Sequence, residues 1–380
     1  MSQFKNVRAY LPALGVIRAD IAFEDGVITS VMPHEDDGAL ENAGELVLPG
    51  FLDQHVHGAG GADAMDGSPE ALATISAQLA QEGTTAFLAT TMTQSEENLC
   101  KALSAIRETM VDGSLKGASL LGVHLEGPFI SPKFIGAQPP QYVQAPTREQ
   151  FDVYQKAAGG AIRVVSLAPE IEGALELTES LTQNGVAVSV GHSAAGYTDV
   201  MRAVKKGLSA VTHTFNAQSP VHHREIGVAG TAMLCDALYT EVICDTIHVS
   251  VPAIQLLLRN KPQDKVILIT DSMRAKGVAD GTSELGGQTV YVKDGEARLA
   301  DGTLAGSVLK MNEAVRNLVT KAGVSLVDAV RYASENPAKH LGVFHERGSI
   351  EVGKRADFVV LDSNFNVVKT IVGGKTVFEG

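Results

Sequence analysis

Leu121-Gly-Val-His-Leu-Glu-Gly-Pro-Phe129 is the stretch that decides the fold, because it joins a buried strand to a charged end. The apolar part predicts a strand, and Gly127-Pro128 ends it, since proline offers no ladder donor and restricts the residue before it. The carboxylate of Glu126 is therefore expected at a strand end, where an unpaired charge is costly. A lone glutamate at such a place usually forms a salt bridge or caps a helix, so the role of Glu126 can be inferred only together with other polar residues of the chain.

Strands and helices alternate on both sides of this stretch, and that alternation predicts parallel βα units. The predicted strands start near Val47, Thr85, Leu121, Arg163, Val186, Ala210, Glu241 and Val266. Eight such strands in a run of this length predict a (β/α)8 barrel of the TIM type. An open doubly wound sheet is the alternative, but no glycine-rich nucleotide-binding motif follows the first strand.

The two ends of the chain show short strands without a helical period. Asp25-Gly26 is a hairpin signal near the N-terminus, and the segment from Gly348 onward again consists of strands. We expect residues 1–48 and 346–380 to pair as one small β-sandwich domain. Residues 49–345 then form the barrel, with a β-hairpin insertion near 286–300.

Composition excludes several classes of protein. The chain has 380 residues, of which 44% are hydrophobic and 20% charged, as in ordered globular proteins. No apolar run approaches the ~20 residues of a membrane span, and no secretory signal is visible. Three scattered cysteines are typical of reduced thiols, so we expect a cytoplasmic protein. The net charge of −13 argues against nucleic acid and against a membrane surface as partners.

Polar side chains close five of the predicted strands, at the barrel end where enzymes of this architecture work. These residues are His55, His57, Glu126, His192, His213 and Asp271. A single buried histidine is usually a hydrogen-bonded core residue, and a terminal aspartate is commonly a helix cap. Together, however, imidazoles and carboxylates on one barrel rim are typical of a Zn²⁺ or Fe²⁺ site.

Such a site indicates metal-assisted hydrolysis of an amide. A bound metal ion lowers the pKa of a water molecule to about 7 and polarises a carbonyl group. An aspartate beside it can take the proton of the water and pass it to a leaving amine.

Several motifs of the chain also match known sequences over essentially its whole length. They are His55-x-His57, His124-Leu-Glu-Gly-Pro128, Gly191-His192, Thr212-His-Thr-Phe-Asn-Ala217, Thr270-Asp271, Leu304-Ala-Gly-Ser307 and Gly348-Ser-Ile-x-x-Gly-x-x-Ala-Asp357. The chain thereby resembles the amidohydrolase superfamily and, more narrowly, its family of N-acetylglucosamine-6-phosphate deacetylases. His-Leu-Glu-Gly-Pro with His-Thr-Phe-Asn-Ala is the specific part of this resemblance, whereas His-x-His alone is not.

The resemblance implies a divalent metal, zinc or iron, with one or two ions per subunit. Glu126, His192 and His213 would hold the principal ion, and His55 with His57 would hold a second one. Asp271 would act as general base and then as general acid. The implied reaction releases acetate from an amino-sugar phosphate in amino-sugar catabolism and cell-wall recycling. An epimeric N-acetylhexosamine phosphate, another amide, or binding without catalysis are the alternatives.

The resemblance also implies the residues that contact the substrate. These are Ala137, Gln138, Asn216, Ala217, Arg224, His248, Leu304, Ala305 and Gly306. His248 and Arg224 match contacts to the phosphate, part of which a neighbouring subunit provides in the family, so a homodimer is implied. Arginine suits this role because its guanidinium pairs with phosphate through two hydrogen bonds.

Three places leave alternatives open. Gln138 stands where members of the family often carry histidine; a glutamine can donate a hydrogen bond but cannot titrate. His124 has the same strand parity as Glu126, so it either supports the metal ligands from behind or is a core histidine. Residues 129–141 form either a mobile lid or a fixed loop.

Overall fold

A computed structural model describes residues 2–34 and 45–380 of the protein. The strands of this part are β1 (Ser2–Leu11), β2 (Gly15–Glu24), β3 (Val27–Pro33), β4 (Leu46–Pro49), β5 (Phe51–Val56), β6 (Gly58–Ala59), β7 (Ala62–Asp63), β8 (Thr84–Thr90), β9 (Ser119–Glu126), β10 (Ile162–Leu167), β11 (Ala187–Val190), β12 (Ala210–Val211), β13 (Tyr239–Ile243), β14 (Val266–Ile269), β15 (Gly281–Leu285), β16 (Gln288–Lys293), β17 (Glu296–Arg298), β18 (Phe358–Leu361), β19 (Val367–Val372) and β20 (Lys375–Glu379).

The helices alternate with the strands of the central part of the chain. They are α1 (Pro69–Ala80), α2 (Glu96–Asp112), α3 (Arg148–Ala157), α4 (Ala174–Gln183), α5 (Tyr197–Val204), α6 (Gly227–Leu234), α7 (Val251–Asn260), α8 (Met311–Thr320), α9 (Leu326–Val330) and α10 (Asn336–His340). A π-helical turn, Arg331–Glu335, joins α9 to α10. Among the helices of the two described ranges, none has the length and apolar character that crossing a membrane requires.

Eight parallel strands form a closed barrel, in the order β5-β8-β9-β10-β11-β12-β13-β14. The first and last strands meet through a parallel bridge between Val56 and Ser272 and through the Asp271 N–H, which donates to the His55 carbonyl at 2.9 Å. This confirms the predicted barrel. Seven of its strands lie within three residues of their predicted starts, which shows how well a buried apolar run marks a barrel strand.

The predicted first barrel strand near Val47 is wrong. Val47 belongs to β4, which pairs with β1 and β18, and the barrel begins only at Phe51 in β5. Gly50 separates the two strands; a side chain there would collide with Thr85 at 2.2 Å. Two buried strands follow each other with one glycine between them, so the apolar run alone does not show where the chain changes sheets.

Strands from both ends of the chain form a second sheet, in the order β20-β19-β18-β4-β1-β2-β3. Phe23 in β2 and Phe358 in β18 pack with ring centroids 5.3 Å apart, although two strands lie between them. In a flat sheet they would be about 14 Å apart, given the ~4.8 Å spacing of neighbouring strands. The sheet therefore curls around its own core, as a small sandwich does. The division into residues 1–48 with 346–380 and residues 49–345 remains our proposal; residues 35–44 lie outside the described ranges.

The insertion after the last barrel strand is larger than the predicted hairpin. It is a three-stranded antiparallel sheet that begins with β15 at Gly281. Ser307 follows this sheet but does not cap the next helix, because α8 begins only at Met311. The Ser307 N–H donates to the Asp271 carbonyl at 2.7 Å, so this serine supports the end of β14 instead.

A buried ion pair ties the turn after α1 to the segment that follows the last barrel strand. Lys276 Nζ lies 2.6 Å from Glu82 Oε1, and both side chains are at most 2% exposed. The second oxygen of Glu82 accepts the N–H of Met311 at 3.1 Å, at the start of α8. These contacts hold together the two ends of the barrel sequence.

We expect Lys276→Met to lower the free energy of unfolding by about 3–5 kcal/mol, because it leaves the Glu82 carboxylate buried without its cation. Urea unfolding followed by far-ultraviolet circular dichroism measures the loss. The matched control is Glu82→Gln/Lys276→Met, which removes both charges and should regain most of the stability. A double variant as unstable as Lys276→Met alone would contradict this account.

Candidate active site

The predicted rim residues come together at the carboxyl ends of the barrel strands. Glu126 is the last residue of β9, and His192, His213 and Asp271 each follow a strand by one or two positions. His55 lies inside β5 and His57 just after it. All of these side chains belong to residues that are at most 8% exposed. The parallel barrel thus gathers groups from five distant parts of the sequence into one buried cluster.

Glu126 is the centre of the first group. Its Oε1 atom lies 3.0 Å from His192 Nε2 and 3.0 Å from His213 Nε2, and the two imidazole nitrogens are 3.1 Å apart. His192 Nδ1 lies 3.1 Å from the Phe134 carbonyl, which can only accept a hydrogen bond. The proton of His192 is therefore on Nδ1, and the lone pair of Nε2 points at the other two groups.

A second group lies on the other side of the Glu126 carboxylate. Asp271 Oδ1 is 3.4 Å from His55 Nε2 and 3.3 Å from His57 Nε2. Glu126 Oε2 lies 3.1 Å from His57 Nε2, so this carboxylate faces both groups with one oxygen each. A carboxylate between two sets of imidazoles is suited to bridging two cations.

Both groups fit a divalent metal ion. In each of them the three ligand atoms lie within 4.8 Å of one another. Ligands bound tetrahedrally to zinc at 2.0–2.2 Å are about 3.3 Å apart, close to the separations in the first group. His55 Nε2 is buried and has no hydrogen-bond partner among residues 2–34 and 45–380, and the Nε2 atoms of His192 and His213 face each other. Lone pairs that converge in this way require a cation or a proton between them.

The electrostatics of the cluster favour a cation. Burial opposes ionisation of Asp271, but the nearby His55 and His57 lower the pKa of Asp271 to about 2. Burial would lower the pKa of His57, yet its hydrogen bonds with Asp271 and Glu126 raise that pKa to about 9. The carboxylates thus stay ionised, and the imidazoles are drawn to bind positive charge, as protons or as a metal ion.

Three rim residues hold the left-handed backbone conformation that side chains rarely adopt. Their φ angles are 48° at His192, 28° at His213 and 49° at Asp271. Such a conformation costs about 1–3 kcal/mol and persists only where the surroundings enforce it. In all three cases it turns the chain sharply at the end of a barrel strand, which places the side chain over the barrel.

Gln138 is held in one orientation beside Glu126. Its Oε1 accepts the Thr93 N–H at 2.7 Å, and its Nε2 donates to Glu126 Oε2 at 2.9 Å. The Thr93 N–H can only donate, so the amide cannot flip without losing both bonds. One N–H of Gln138 thus holds Glu126, and the other remains for a ligand.

His124 lies behind the candidate metal ligands. Its ring packs edge-on against that of His55 with centroids 4.5 Å apart, and Nε2 lies 2.7 Å from the Ser166 hydroxyl oxygen. Burial and the neighbouring His55 lower the pKa of His124 to about 3, so it stays neutral. Its position agrees with support of His55 from behind.

An open pocket covers the cluster. Of the side chains predicted to contact substrate, seven line it: Ala137, Gln138, Asn216, Ala217, His248, Leu304 and Gly306. Ala305 lies behind the wall and is fully buried, with its N–H bonded to the Ala297 carbonyl at 3.0 Å. Arg224 is exposed on a turn outside this lining, beside His223. The structure therefore does not bring Arg224 to the pocket of its own chain.

Comparisons with known proteins agree with this arrangement. Residues 46–377 match the model of the amidohydrolase family. The chain belongs to the amidohydrolase family. It is 47% identical over 338 residues to N-acetylglucosamine-6-phosphate deacetylase of Bacillus subtilis (strain 168), a match that covers 88% of this chain and 85% of that protein.

Two further relatives bear on the substrate of this amidohydrolase. N-acetylgalactosamine-6-phosphate deacetylase of Escherichia coli O157:H7 is 37% identical, over 92% of each chain. The structure of a variant N-acetyl-D-glucosamine-6-phosphate deacetylase from Mycobacterium smegmatis, in complex with N-acetyl-D-glucosamine-6-phosphate, is similar with a TM-score of 0.90. It is 30% identical, and the match covers 98% of both chains.

Some residues of the amidohydrolase site escaped the sequence analysis. Met92, Leu285 and Thr303 line the pocket, and Leu285 comes from the inserted sheet. Glu241 lies under the cluster, fully buried, with Oε2 3.1 Å from His55 Nδ1. A charged residue inside the apolar strand Tyr239–Ile243 was a signal that could have revealed it.

We expect His192→Ala to remove one metal equivalent per chain, since this side chain provides a lone pair directed at the ion. Losing a group that only supports a ligand already costs about 10–100-fold in metal affinity, so losing the ligand should cost more than about 100-fold. Elemental analysis after dialysis against a chelator measures the change.

The control for this loss is His34→Ala, which removes an exposed histidine bound to Asp20 in the small sheet. It should keep the metal content of the wild type. Full metal content in His192→Ala would exclude His192 as a ligand.

Proposed function

We propose that the protein hydrolyses the acetamide of N-acetyl-D-glucosamine 6-phosphate to D-glucosamine 6-phosphate and acetate. The observation that carries this proposal is the meeting of Glu126, His192 and His213 with Asp271 below a pocket, in a chain of the amidohydrolase family. A protein that only bound sugar phosphates would have no use for an aspartate beside metal ligands. The relatives named for this reaction support the choice of substrate.

The metal of the proposed site is zinc or iron. Glu126, His192 and His213 would hold the principal ion, and His55 with His57 would hold a second ion if two are bound. When bound, the metal supplies Lewis-acid activation of the amide carbonyl and of the attacking water.

Asp271 is the proposed general base and acid. It takes a proton from the attacking water, and the oxygen of that water forms a bond to the acetyl carbon. Asp271 then donates this proton to the sugar nitrogen as the carbon–nitrogen bond breaks, which leaves a neutral amine. Its Oδ1 atom faces His55 and His57, so its position next to the metal ligands is fixed.

Gln138 is the proposed donor to the acetyl oxygen. One of its N–H groups is used by Glu126, and the other is available in the pocket. A donor fixed in place stabilises the negative charge that develops on this oxygen in the transition state. Glutamine performs this role without changing its protonation state.

The phosphate group is proposed to contact His248, whose Nδ1 is held 2.5 Å from Asp245 Oδ2, which leaves Nε2 for a ligand. Arg224 lies on an exposed turn outside the lining of its own pocket. Its proposed role is to reach the phosphate in a neighbouring subunit of a homodimer. The free cysteines support a reducing cytoplasm as the place of action.

A second candidate substrate is the galactosamine epimer, because a relative of similar coverage is named for it. The two sugars differ only in the configuration of one hydroxyl group. The same metal ligands and the same Asp271 would serve both sugars, so the two candidate substrates are distinguished by comparing their rates of hydrolysis.

We expect Asp271→Asn to reduce acetate release from N-acetylglucosamine 6-phosphate by about 10²–10⁴-fold, the usual contribution of a general acid–base group. Asparagine keeps the shape but can neither take nor give the proton. Acetate is measured by a coupled assay, and metal content is read on the same samples.

The galactosamine epimer is the second substrate in this assay, and the wild type should hydrolyse it more slowly. Faster hydrolysis of the epimer would reassign the substrate. Wild-type activity in a metal-loaded Asp271→Asn variant would remove Asp271 from the mechanism.

We expect Gln138→Ala to lower kcat by about 10²-fold, the typical effect of losing one donor to an oxyanion. Gln138 supports Glu126 without being a ligand, so its loss should weaken metal affinity by about 10–100-fold, and kcat is therefore measured on samples saturated with metal. Since glutamine does not titrate, Gln138→Ala should leave the shape of the pH–rate profile unchanged. A changed profile, or an unchanged kcat, would rule out this role; Gln94→Ala, which changes an amide outside the pocket lining, is the control.

A further inference from the structure

Glu241 is a fully buried carboxylate in the middle of a barrel strand. Its Oε1 accepts a hydrogen bond from Gln54 Nε2 at 2.6 Å. Its Oε2 lies 3.1 Å from His55 Nδ1 and accepts the His213 N–H at 3.2 Å. Burying a carboxylate costs several kcal/mol even when hydrogen bonds satisfy it. The groups that Glu241 contacts therefore indicate its role in the protein.

The contact with His55 fixes the tautomer of this histidine. A carboxylate oxygen accepts, so the proton of the neutral ring is on Nδ1 and the lone pair is on Nε2. That lone pair points at the second metal group, 3.4 Å from Asp271 Oδ1 and 3.6 Å from Glu126 Oε1. Carboxylates that hold the far nitrogen of a metal-binding histidine orient the ring and make it a better ligand.

Two contacts of Glu241 hold the backbone on either side of the His213 Cα atom, at the end of the neighbouring strand β12. Glu241 Oε2 accepts the N–H of His213, and the backbone carbonyl of Glu241 accepts the N–H of Thr214 at 2.9 Å. His213 has the smallest φ angle of the three rim residues with positive φ, at 28°. Glu241 thus holds the backbone of His213, a ligand of the first metal group, and the imidazole ring of His55, a ligand of the second group.

We propose that Glu241 is a positioning residue that couples the two metal-ligand groups, by fixing the tautomer of His55 and the backbone turn of His213. This inference rests on the proposed function, because it assumes that both groups bind metal. The ligand atoms of Glu241, His55 and His124 also lie within 4.8 Å of one another. We nevertheless assign Glu241 no ligand role, because the N–H groups of Gln54 and His213 already point at its oxygens.

The test uses Glu241→Gln in the full-length protein, stripped of metal and titrated with Co²⁺. An amide at position 241 can keep its oxygen on His55 only if the Gln54 amide also flips and gives up its present contact with His340 Nδ1, and a neutral amide holds the His55 ring more weakly than a carboxylate does. We expect the affinity for at least one Co²⁺ equivalent to fall by about 10–100-fold and the visible Co²⁺ spectrum to change. In the acetate assay, kcat should fall while KM stays near the wild-type value.

Two further variants distinguish positioning from mere folding. Glu82→Gln also removes a buried carboxylate, but one bonded to Lys276 and not to any histidine. It should lower stability and leave Co²⁺ binding unchanged.

The second variant, Gln54→Glu/Glu241→Gln, exchanges the two side chains. The amide at position 241 can then turn its oxygen towards His55 and donate its NH₂ group to the carboxylate at position 54. That carboxylate can also accept from His340, whose Nδ1 lies 3.0 Å from Gln54 Oε1 in the wild type. This exchange should recover most of the Co²⁺ affinity.

The outcomes separate this inference from the proposed function. Wild-type Co²⁺ affinity and spectrum in a folded Glu241→Gln variant would overturn the inference, and so would an equal loss of affinity in Glu82→Gln. A wild type that binds Co²⁺ but releases no acetate would overturn the proposed substrate, while the Co²⁺ titrations would still decide the role of Glu241.

Discussion

The carboxylate of Glu126 is the group on which the rest of the site depends. It is a buried negative charge at a strand end, and it faces imidazoles on both sides. Burial raises its pKa, but the charge of His55 and the hydrogen bonds of His192 and His213 lower that pKa well below its ordinary value. A charge in this place is stable only with positive partners, and three other strand ends provide imidazoles for it, at His55 and His57, at His192 and at His213. The requirement to neutralise one carboxylate thus explains why so many polar groups converge there.

The fold provides the rigidity that this convergence needs. The left-handed turns at His192, His213 and Asp271 are unfavourable locally, so they depend on backbone hydrogen bonds between neighbouring strands. Asp271 is held from both sides, since its N–H donates to His55 and its carbonyl accepts from Ser307. The hydrogen bond that closes the barrel between His55 and Asp271 therefore also fixes the position of the Asp271 carboxylate.

Sequence reasoning located the strand ends because a polar residue that closes an apolar run is a local pattern. It failed at Val47 because the pairing partners of β4 lie far away in the chain, although the turn dipeptide Pro49-Gly50 marks the point where the chain changes sheets. Glu241 does not fit this local pattern, because its charge lies inside a strand and not at a strand end. Seven of nine predicted substrate residues do line one pocket, because their motifs follow barrel strands or the inserted sheet. Ala305 and Arg224 do not line it, since Ala305 is buried behind the pocket wall and Arg224 lies on an exposed turn.

The direction of the hydrogen bonds behind the ligands is the last requirement for a metal site. His192 has the Phe134 carbonyl behind it, and His55 has the Glu241 carboxylate. Both partners only accept, so both rings must present a lone pair at the front. Gln138 presents a donor instead. The Thr93 N–H can only donate and so holds the amide oxygen of Gln138, which turns the NH₂ group towards Glu126. The acceptors behind His192 and His55 and the donor beside Glu126 leave the centre with lone pairs directed inward before any ion arrives. The ordering of these side chains then occurs during folding, so it does not oppose metal binding afterwards.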